Sequence, residues 1–312
     1  MRIRALAIIS SPFQLINLKE FIETQKNISC YIVGLYFNQE DKRRITNVAN
    51  SLDIVIDKKI KRRKVRTYLR LIPLVFWKKY DQLIIGHYYD NTMVFFSNLL
   101  IVKKIIVLDD GFATLTSLRI YRGKKKSIFG NRNYYFQKKR INFFTIFHDN
   151  NPADEIINHN FLFLSRKLKI FEITQDIFFI GQPLFNYISK SDYHHYLKYI
   201  LDSNPGKKIK YIPHRFEKAS DLLEYEKVGF EILKTEIPIE CFLITSNLIP
   251  SKIIGICSTS LFTISILFKN CDLPVLIESI KLPDSVIDYN LHISQVYDLL
   301  KNNIVLKDIN LI

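Results

Sequence analysis

The sequence predicts an α/β protein of two domains, each with a parallel sheet, and three observations support this. Short apolar runs bounded by turn signals recur along the chain, and they are continuous rather than alternating, as in strands buried on both faces. Segments with helical spacing of apolar residues separate these runs. The chain has 312 residues, which exceeds the usual size of one domain. We therefore expect two domains of similar size, spanning residues 1–172 and 173–312.

Strands and helices alternate in the first half of the chain. The predicted strands are Ala5–Ile9, Cys30–Gly34, Ile54–Ile56, Gln82–Ile85 and Lys104–Leu108. The predicted helices are Gln14–Thr24, Asp41–Ser51, Thr67–Trp77 and Asn91–Ile101. This alternation is typical of a doubly wound sheet.

The second half repeats the pattern. Its predicted strands are Ile177–Ile180, Lys208–Ile212, Cys241–Thr245, Ile253–Cys257 and Pro274–Ile277. Its predicted helices are Asp192–Leu201, Tyr225–Thr235, Leu261–Phe268 and His292–Asn302. We expect the carboxyl ends of both sheets to face a cleft between the domains, because ligands bind at that edge of open α/β sheets.

Composition excludes several other classes of protein. Hydrophobic residues make up 48% of the chain, enough for a large core, which excludes wholesale disorder. The four cysteines form no CxxC pair, so we expect free thiols of a reducing compartment rather than disulfides or a zinc site. The apolar run at the N-terminus is too short for a signal peptide, and no stretch approaches the roughly 18 apolar residues of a membrane span. These features predict a cytoplasmic protein.

The formal net charge is +15, from 45 Lys and Arg against 30 Asp and Glu. The densest basic runs are Lys58–Arg66, Lys124–Lys126 and Lys138–Arg140. They are either solvated loops or a surface that attracts anionic lipid, nucleic acid or phosphorylated small molecules. No helix-turn-helix, zinc finger or RNP-type motif accompanies the charge, so no nucleic-acid partner is expected. We predict peripheral association with the anionic inner face of the cell membrane.

Polar residues follow two predicted strands of the first half. Ser11 comes after the first strand, and Pro12 beside it makes Ser11 a credible helix N-cap. Asp109 and Asp110 follow the strand Lys104–Leu108 and precede Gly111. One of the two carboxylates is a candidate general base, whereas an ordinary Asp-Gly turn is the structural alternative.

Three further polar motifs follow or precede strands of the second half. His214, with Arg215 beside it, can donate to a phosphate or protonate a leaving group, although a surface histidine in a turn is the alternative. A hydroxyl triplet at a helix N-terminus is a potential anion site or a simple cap; it consists of Ser258, Thr259 and Ser260. Glu240, beside a predicted strand, suits a ribose diol.

The order of these motifs resembles that of bacterial sialyltransferases, most closely glycosyltransferase family 52, the lipooligosaccharide sialyltransferases. The shared order is Ser-Pro-Phe-Gln near the start, Asp-Asp-Gly about one hundred residues later, a histidine motif in the second half, and then Ser/Thr. Bacterial polysialyltransferases share the acidic and histidine motifs. The resemblance implies a GT-B fold with two Rossmann-like domains. It also implies transfer of sialic acid from CMP-sialic acid to a galactose-terminated glycan of lipooligosaccharide or capsule, with inversion and without a metal or cofactor.

The resemblance also implies roles for particular residues. Asp109 or Asp110 deprotonates the acceptor hydroxyl, with Asp109 favoured, and His214 assists the departure of CMP. The resemblance further implies that Ser258, Thr259 and Ser260 bind the phosphate and that Glu240 binds the cytidine ribose. It places Gly181 and Gln182 in the cytidine pocket, and Ser11 and Gln14 on the sialic acid or acceptor side.

One departure from the family concerns the histidine motif. The family has His-Pro, whereas here Pro213 precedes His214 and Arg215 follows it. The alternatives to sialyl transfer are a polysialyltransferase, another GT-B glycosyltransferase of capsule or lipopolysaccharide, and a non-catalytic basic binding protein. Members of the family form homodimers, which is a further possibility here.

Overall fold

A computed structural model of the chain describes residues 2–25, 27–77, 79–123, 140–147, 155–168, 172–246 and 248–308. The chain divides into two compact units. The first comprises Met1–Phe163 and Glu236–Cys241, and the second comprises Leu164–Thr235 and Phe242–Ile312. Each is an α/β unit around a parallel sheet, which confirms the predicted fold class. The predicted boundary after residue 172 lies a short way inside the second unit.

The sheet of the first unit has seven parallel strands among the described residues, in the order β3-β2-β1-β4-β5-β6-β7. They are β1 Ile3–Ile9, β2 Ile28–Tyr36, β3 Lys58–Lys61, β4 Gln82–Ile85, β5 Lys104–Leu108, β6 Arg140–Thr145 and β7 Ile156–Asn158. The helices are α1 Pro12–Thr24, α2 Gln39–Ser51, α3 Lys64–Trp77, α4 Asn91–Leu99, α5 Ala113–Gly123 and α6 Leu162–Ser165, the last of which reaches into the second unit.

Side chains of the central strands are buried on both faces of this sheet. On one face Leu6, Leu83 and Ile105 lie side by side across β1, β4 and β5, and each is at most 1% exposed. On the other face Ile84 and Ile106 are fully buried. Helices on both faces account for this burial, and the continuous apolar runs of the sequence have the same cause. The carboxyl ends of β1, β4 and β5 therefore lie next to one another.

The sheet of the second unit has six parallel strands among the described residues, in the order β10-β9-β8-β11-β12-β13. They are β8 Glu172–Ile180, β9 Ile209–Ile212, β10 Glu231–Ile232, β11 Leu248–Ile256, β12 Leu276–Ile280 and β13 Val305–Lys307. The helices are α7 Lys190–Asp202, α8 Ala219–Val228, α10 Thr259–Lys269, α11 Asp284–Asp288 and α12 Leu291–Leu300, with a 3₁₀ turn at Leu184–Asn186. Helix α9, Ile239–Thr245, begins in the first unit and ends in the second.

Three predicted elements differ in the structure. Ile54–Ile56 is not a strand; the edge strand β3 follows it at Lys58–Lys61, inside the densest basic run. Cys241–Thr245 is part of helix α9, because a short apolar run does not by itself distinguish a strand from a buried helix. The predicted helix Tyr225–Thr235 is interrupted by Gly229, whose φ of 124° ends α8 and lets the chain enter β10.

None of the described helices is long and apolar enough to cross a membrane. The four cysteines are free thiols, as predicted. Two of the predicted basic runs, Lys124–Lys126 and most of Lys138–Arg140, lie outside the described residues.

Candidate functional site

Polar side chains collect where β1, β4 and β5 end in the first unit. Strand order reverses between β1 and β4, and this topological switch point is the usual place for a ligand in an open α/β sheet. Ser11 caps α1 by accepting the N–H of Gln14 at 3.2 Å, and its hydroxyl donates to Asp110 Oδ1 at 3.2 Å. One serine thus links the first strand-to-helix turn to the carboxylate that follows β5.

Gln14 is a structural residue of this edge. Its side chain is buried, and Oε1 accepts the backbone N–H of Ser10 at 2.7 Å. Gly86, which ends β4, makes room for it: a Cβ at Gly86 would lie 1.9 Å from Gln14 Oε1. Gln14 therefore holds the chain that leaves β1 against the chain that leaves β4.

The two adjacent aspartates have different surroundings. Asp109 is 0% exposed, and its Oδ2 accepts the backbone N–H of Ile146 at 2.7 Å. His159, also buried, places Nε2 3.8 Å from the same carboxylate oxygen. Asp110 is partly exposed, because the next side chain along a strand end points to the opposite side. This burial favours Asp110 over Asp109 as the carboxylate that can meet a ligand.

His87 pairs with Asp110. Its Nε2 lies 3.9 Å from Asp110 Oδ2, and both side chains are about one-third exposed, at 31% and 27%. The Nδ1 of His87 accepts the backbone N–H of Tyr89 at 3.1 Å, so Nε2 carries the hydrogen of the neutral ring. An imidazole and a carboxylate side by side can donate and accept a proton. The sequence prediction did not include His87, although its place directly after Gly86 at the end of an apolar run was a usable signal.

In the second unit the switch point lies between β8 and β11, and two predicted residues meet there. Gln182 follows β8, and its Nε2 donates to Ser258 Oγ at 2.9 Å. Between β11 and Ser258, Cys257 adopts a φ of 49°, an uncommon left-handed conformation that turns the chain sharply into α10. Burial raises the pKa of Cys257 to about 12, so this thiol stays protonated at neutral pH.

The N-terminus of α10 has unfilled donor capacity within the described structure. Ser258 is its N-cap, but the hydroxyl accepts from Gln182 rather than from a backbone N–H of the helix. Thr259 and Ser260 form the first turn, and both are partly exposed. Free backbone N–H groups and the positive end of the helix dipole bind anions, above all phosphates. The predicted hydroxyl triplet therefore lies at the start of α10, with Ser258 buried and Thr259 and Ser260 partly exposed.

His214 follows β9, next to β8, and a partly buried carboxylate fixes its backbone. Glu217 Oε2 accepts the N–H of His214 at 2.6 Å, and Glu217 also accepts the hydroxyl of Tyr211. Burial raises the pKa of Glu217 to about 6, and the hydrogen bonds from Tyr211 and His214 oppose that rise. Gly181 leaves room for this group, because a Cβ there would lie 2.6 Å from Glu217 and from Tyr211.

Arg215 is exposed beside His214. Its guanidinium carbon lies 4.7 Å from the centre of the Phe216 ring, and Phe216 is 67% exposed. The Nδ1 of His214 accepts the N–H of Phe216 at 3.3 Å. Arg215 therefore carries its charge at the same sheet edge as Ser258.

Glu240 lies within a helix and not directly before a strand. It is buried in α9, within the segment Glu236–Cys241 that belongs to the first unit. The prediction that placed it before a strand, with the nucleotide-side residues, rested on the misassigned strand Cys241–Thr245. No group of three or more His, Cys, Asp or Glu side chains suited to a metal ion occurs among the described residues.

No protein-family model matches this chain, and a search of curated proteins finds no match. Solved structures do resemble it. A Listeria monocytogenes protein assigned as a UDP-N-acetylglucosamine 2-epimerase aligns with a TM-score of 0.61 and 11% identity, over 97% of this chain and 89% of that one. The UDP-GlcNAc 2-epimerase of Methanocaldococcus jannaschii, in complex with UDP-GlcNAc and UDP, aligns at 0.58 and 12%, over 98% and 89%.

A third neighbour is the UDP-GlcNAc 2-epimerase of Neisseria meningitidis bound to UDP-GlcNAc, with a TM-score of 0.56, 10% identity, and 96% and 92% of the two chains covered. At these identities the likeness shows the fold. It confirms the predicted GT-B class with two Rossmann-like domains.

The same neighbours overturn the sialyltransferase identification. They are UDP-GlcNAc 2-epimerases, two of them with a UDP-sugar bound, whereas the motif order implied CMP-sialic acid and a galactosyl acceptor. The predicted family, the sialyl or polysialyl transfer, the glycosyltransferase class and both substrates are therefore wrong. The matching motifs all lie at strand ends, where an open α/β sheet carries polar residues whatever nucleotide it binds. Their order identified the fold and not the substrate.

Proposed function

We propose that this chain is a UDP-sugar enzyme and that it epimerises UDP-GlcNAc at C2. The observation that carries the proposal is the N-terminus of α10, where Ser258 and Gln182 meet at the switch point of the second sheet. Its donors suit a diphosphate. The fold is shared with 2-epimerases whose structures hold UDP-GlcNAc or UDP, which supports UDP as the nucleotide.

The nucleotide is assigned to the second unit. The diphosphate accepts hydrogen bonds from the first turn of α10, at Thr259 and Ser260, and Ser258 Oγ donates a further one. His214 and Arg215, at the end of neighbouring β9, add positive charge or a proton to a departing phosphate.

Proton transfer is assigned to the first unit. Inverting C2 of the sugar requires a proton to leave that carbon while the bond from C1 to the UDP oxygen breaks, which leaves a C1=C2 double bond and free UDP. A proton then returns to the other face of C2 as UDP re-forms its bond to C1. Asp110 is the base, and His87 Nε2 is its acid partner, with Ser11 holding the carboxylate in place through the 3.2 Å hydrogen bond. Because these side chains supply both proton steps, we also propose that no metal or cofactor takes part. Full activity after EDTA treatment is the matching test.

The deciding experiment follows UDP-GlcNAc by proton NMR in D₂O. We expect a second resonance set from the C2 epimer, UDP-ManNAc, with deuterium at C2 in the product. Asp110→Asn should lower turnover at least about 10²-fold, whereas the exposed Asp202→Asn should not change it. If UDP-GlcNAc carries no deuterium at C2 after long incubation, although the protein binds UDP, epimerisation is refuted.

Nucleotide choice is tested separately by calorimetry with UDP and CMP. We expect UDP to bind more tightly, and Ser258→Ala to weaken UDP binding about tenfold through the lost hydrogen bond to a charged group. Ser265→Ala, on the same helix but bonded only to a backbone carbonyl, is the matched control. Preferential binding of CMP would refute the assignment of the nucleotide.

We also propose that the protein associates peripherally with the anionic inner face of the cell membrane. The net charge of +15 supports this, since each Lys or Arg near such a surface contributes about 1 kcal/mol. Flotation with anionic vesicles should succeed at low salt and fail at high salt. Equal flotation with neutral vesicles would contradict an electrostatic association.

A further inference from the structure

Helix α3 exposes apolar and basic side chains together on one face. Val65 and Leu69 are 68% and 61% exposed, and their spacing of four residues puts them in one row along the helix. Arg66 and Arg70, each one position further along, are also exposed. A row of apolar side chains next to a row of arginines thus faces solvent. We call this the α3 face.

Neighbouring elements extend the α3 face. Lys59 is exposed on the edge strand β3, and Lys58 donates to the backbone oxygen of Arg70 at 3.2 Å, which joins β3 to the helix. On the apolar side, Phe95 of α4 is 42% exposed, and its ring centre lies 4.9 Å from that of Tyr68. The apolar row therefore continues from α3 towards α4.

The charge of this region has a single sign. Residues 58–70 contain four lysines, four arginines and no Asp or Glu. Within the described structure Arg62 is paired with Asp90, which caps α4, so this arginine is already neutralised. Arg66 and Arg70 are exposed at the helix surface, where their charge can meet an anionic partner.

We propose that the α3 face is the surface that docks on anionic lipid, with Val65 and Leu69 inserted between the headgroups and Arg66 and Arg70 on the phosphates. The inference rests on the peripheral association proposed above and assigns it to particular residues. Apolar and basic side chains on one helix face are what an interfacial helix needs. Nucleic acid would match the charge but leave Val65 and Leu69 exposed, so lipid fits the whole face better.

The position of α3 gives this docking a consequence. The helix follows β3, so its first turn, with Val65 and Arg66, starts from the carboxyl edge of the first sheet. His87 and Asp110 lie at the same edge of the same unit. Docking through the α3 face brings that edge of the first unit towards the lipid surface.

The test measures partition of the full chain onto vesicles, without any sugar nucleotide, so that it is independent of the proposed reaction. The vesicles are phosphatidylcholine alone, or phosphatidylcholine with an equal part of phosphatidylglycerol. We expect binding to the mixed vesicles. Arg66→Gln with Arg70→Gln should weaken it about 25-fold, at about fivefold per charge. Val65→Ser with Leu69→Ser should weaken it by a similar or larger factor.

Matched controls distinguish binding through the α3 face from nonspecific electrostatic and hydrophobic binding. Lys198→Gln with Lys227→Gln removes the same charge from exposed positions of the second unit. Leu223→Ser removes a leucine that is 59% exposed, close to the exposure of Leu69. Both controls should bind like wild type, and all variants should keep the wild-type melting temperature.

Two results would overturn the assignment, and each differs from a failure of the proposed reaction. If wild type does not bind the mixed vesicles, peripheral association itself is wrong. If it binds but the α3 variants lose no more than the controls, another surface docks. A short oligonucleotide serves as the competing probe. If wild type binds the oligonucleotide but not the vesicles, and the α3 variants lose that binding, nucleic acid is the partner.

Discussion

Replacing Gly86 by alanine should destabilise the first unit through one side chain, that of Gln14. The new methyl carbon would lie 1.9 Å from Gln14 Oε1 and 2.2 Å from Cδ, so the buried amide must leave its place. Its hydrogen bond from the N–H of Ser10 is then lost, and a part-buried donor is left without a partner. Overpacking costs about 1–3 kcal/mol, and the orphaned N–H adds about 1 kcal/mol or more. We expect a total of about 2–4 kcal/mol.

A double-mutant cycle measures whether Gln14 is the cause. Thermal unfolding is compared for wild type, Gly86→Ala, Gln14→Ala and the double variant. In a unit of this size about 1 kcal/mol corresponds to roughly 2–4 °C in Tm. In the Gln14→Ala background the methyl group meets no amide, so Gly86→Ala should then cost little, with a coupling of about 1–3 kcal/mol. Equal costs in both backgrounds would refute the close packing of Gly86 on Gln14.

Three further predictions test other contacts of the two units. Asp109→Asn should lower Tm by weakening the acceptor for the N–H of Ile146, whereas Asp110→Asn should leave Tm near wild type; equal Tm losses would contradict their different burial. Asp90→Ala should cost about 1–2 kcal/mol in unfolding free energy and Asp90→Asn distinctly less, because asparagine still caps α4 but cannot pair with Arg62. Burial raises the pKa of the Glu217 carboxyl from 4.5 to about 6, so the folded chain holds this proton to a higher pH than the unfolded chain. The free energy of unfolding therefore falls as the pH rises through both pKa values, by about 2 kcal/mol in all. The difference in unfolding free energy between wild type and Glu217→Gln should shift by that amount between about pH 3 and about pH 7.5, with roughly two-thirds of the shift between the two pKa values, and a difference that does not change with pH would contradict the raised pKa.

The central strands could be predicted closely because burial on both faces leaves a plain mark in the sequence, a continuous run of apolar residues. Gln82–Ile85 and Lys104–Leu108 were predicted with the bounds that the structure has. Each apolar run ends where the chain reaches the edge of the sheet, at Gly86 and at Asp109. The edge strand β3 has no such mark, because of its four residues only Ile60 is buried and the others are lysines.

The region around Glu240 could not be predicted from local pattern. The apolar run from Cys241 to Thr245 is as consistent with a buried strand as with a short buried helix. The structure makes it α9, and the segment Glu236–Cys241 belongs to the first unit, within which Glu236 pairs with Arg43 at 3.1 Å. Which unit a short segment joins depends on such long-range contacts, which no window of neighbouring residues contains.

The motifs could not identify the substrate for a related reason. A carboxylate after β5, a histidine after β9 and hydroxyls at the start of α10 describe what any parallel sheet offers a phosphorylated ligand at its carboxyl edge. Such groups bind phosphate and move protons, and neither task distinguishes uracil from cytosine. The base of a nucleotide is read by donors and acceptors on its own edge, and none of the strand-end motifs was chosen by that chemistry.

The pairing of His87 with Asp110 shows which information about the site is missing from the local sequence. Alternation along an extended chain turns Asp109 into the unit and Asp110 towards solvent, so two identical neighbours acquire opposite environments. The partner of Asp110 comes from the neighbouring strand, since β4 and β5 are paired and end together. Strand order is therefore the missing information: once β4 is known to lie between β1 and β5, a histidine directly after β4 must face the groups that follow β1 and β5. A polar residue directly after a central strand is therefore a stronger signal than the order of family motifs, and His87 carries that signal.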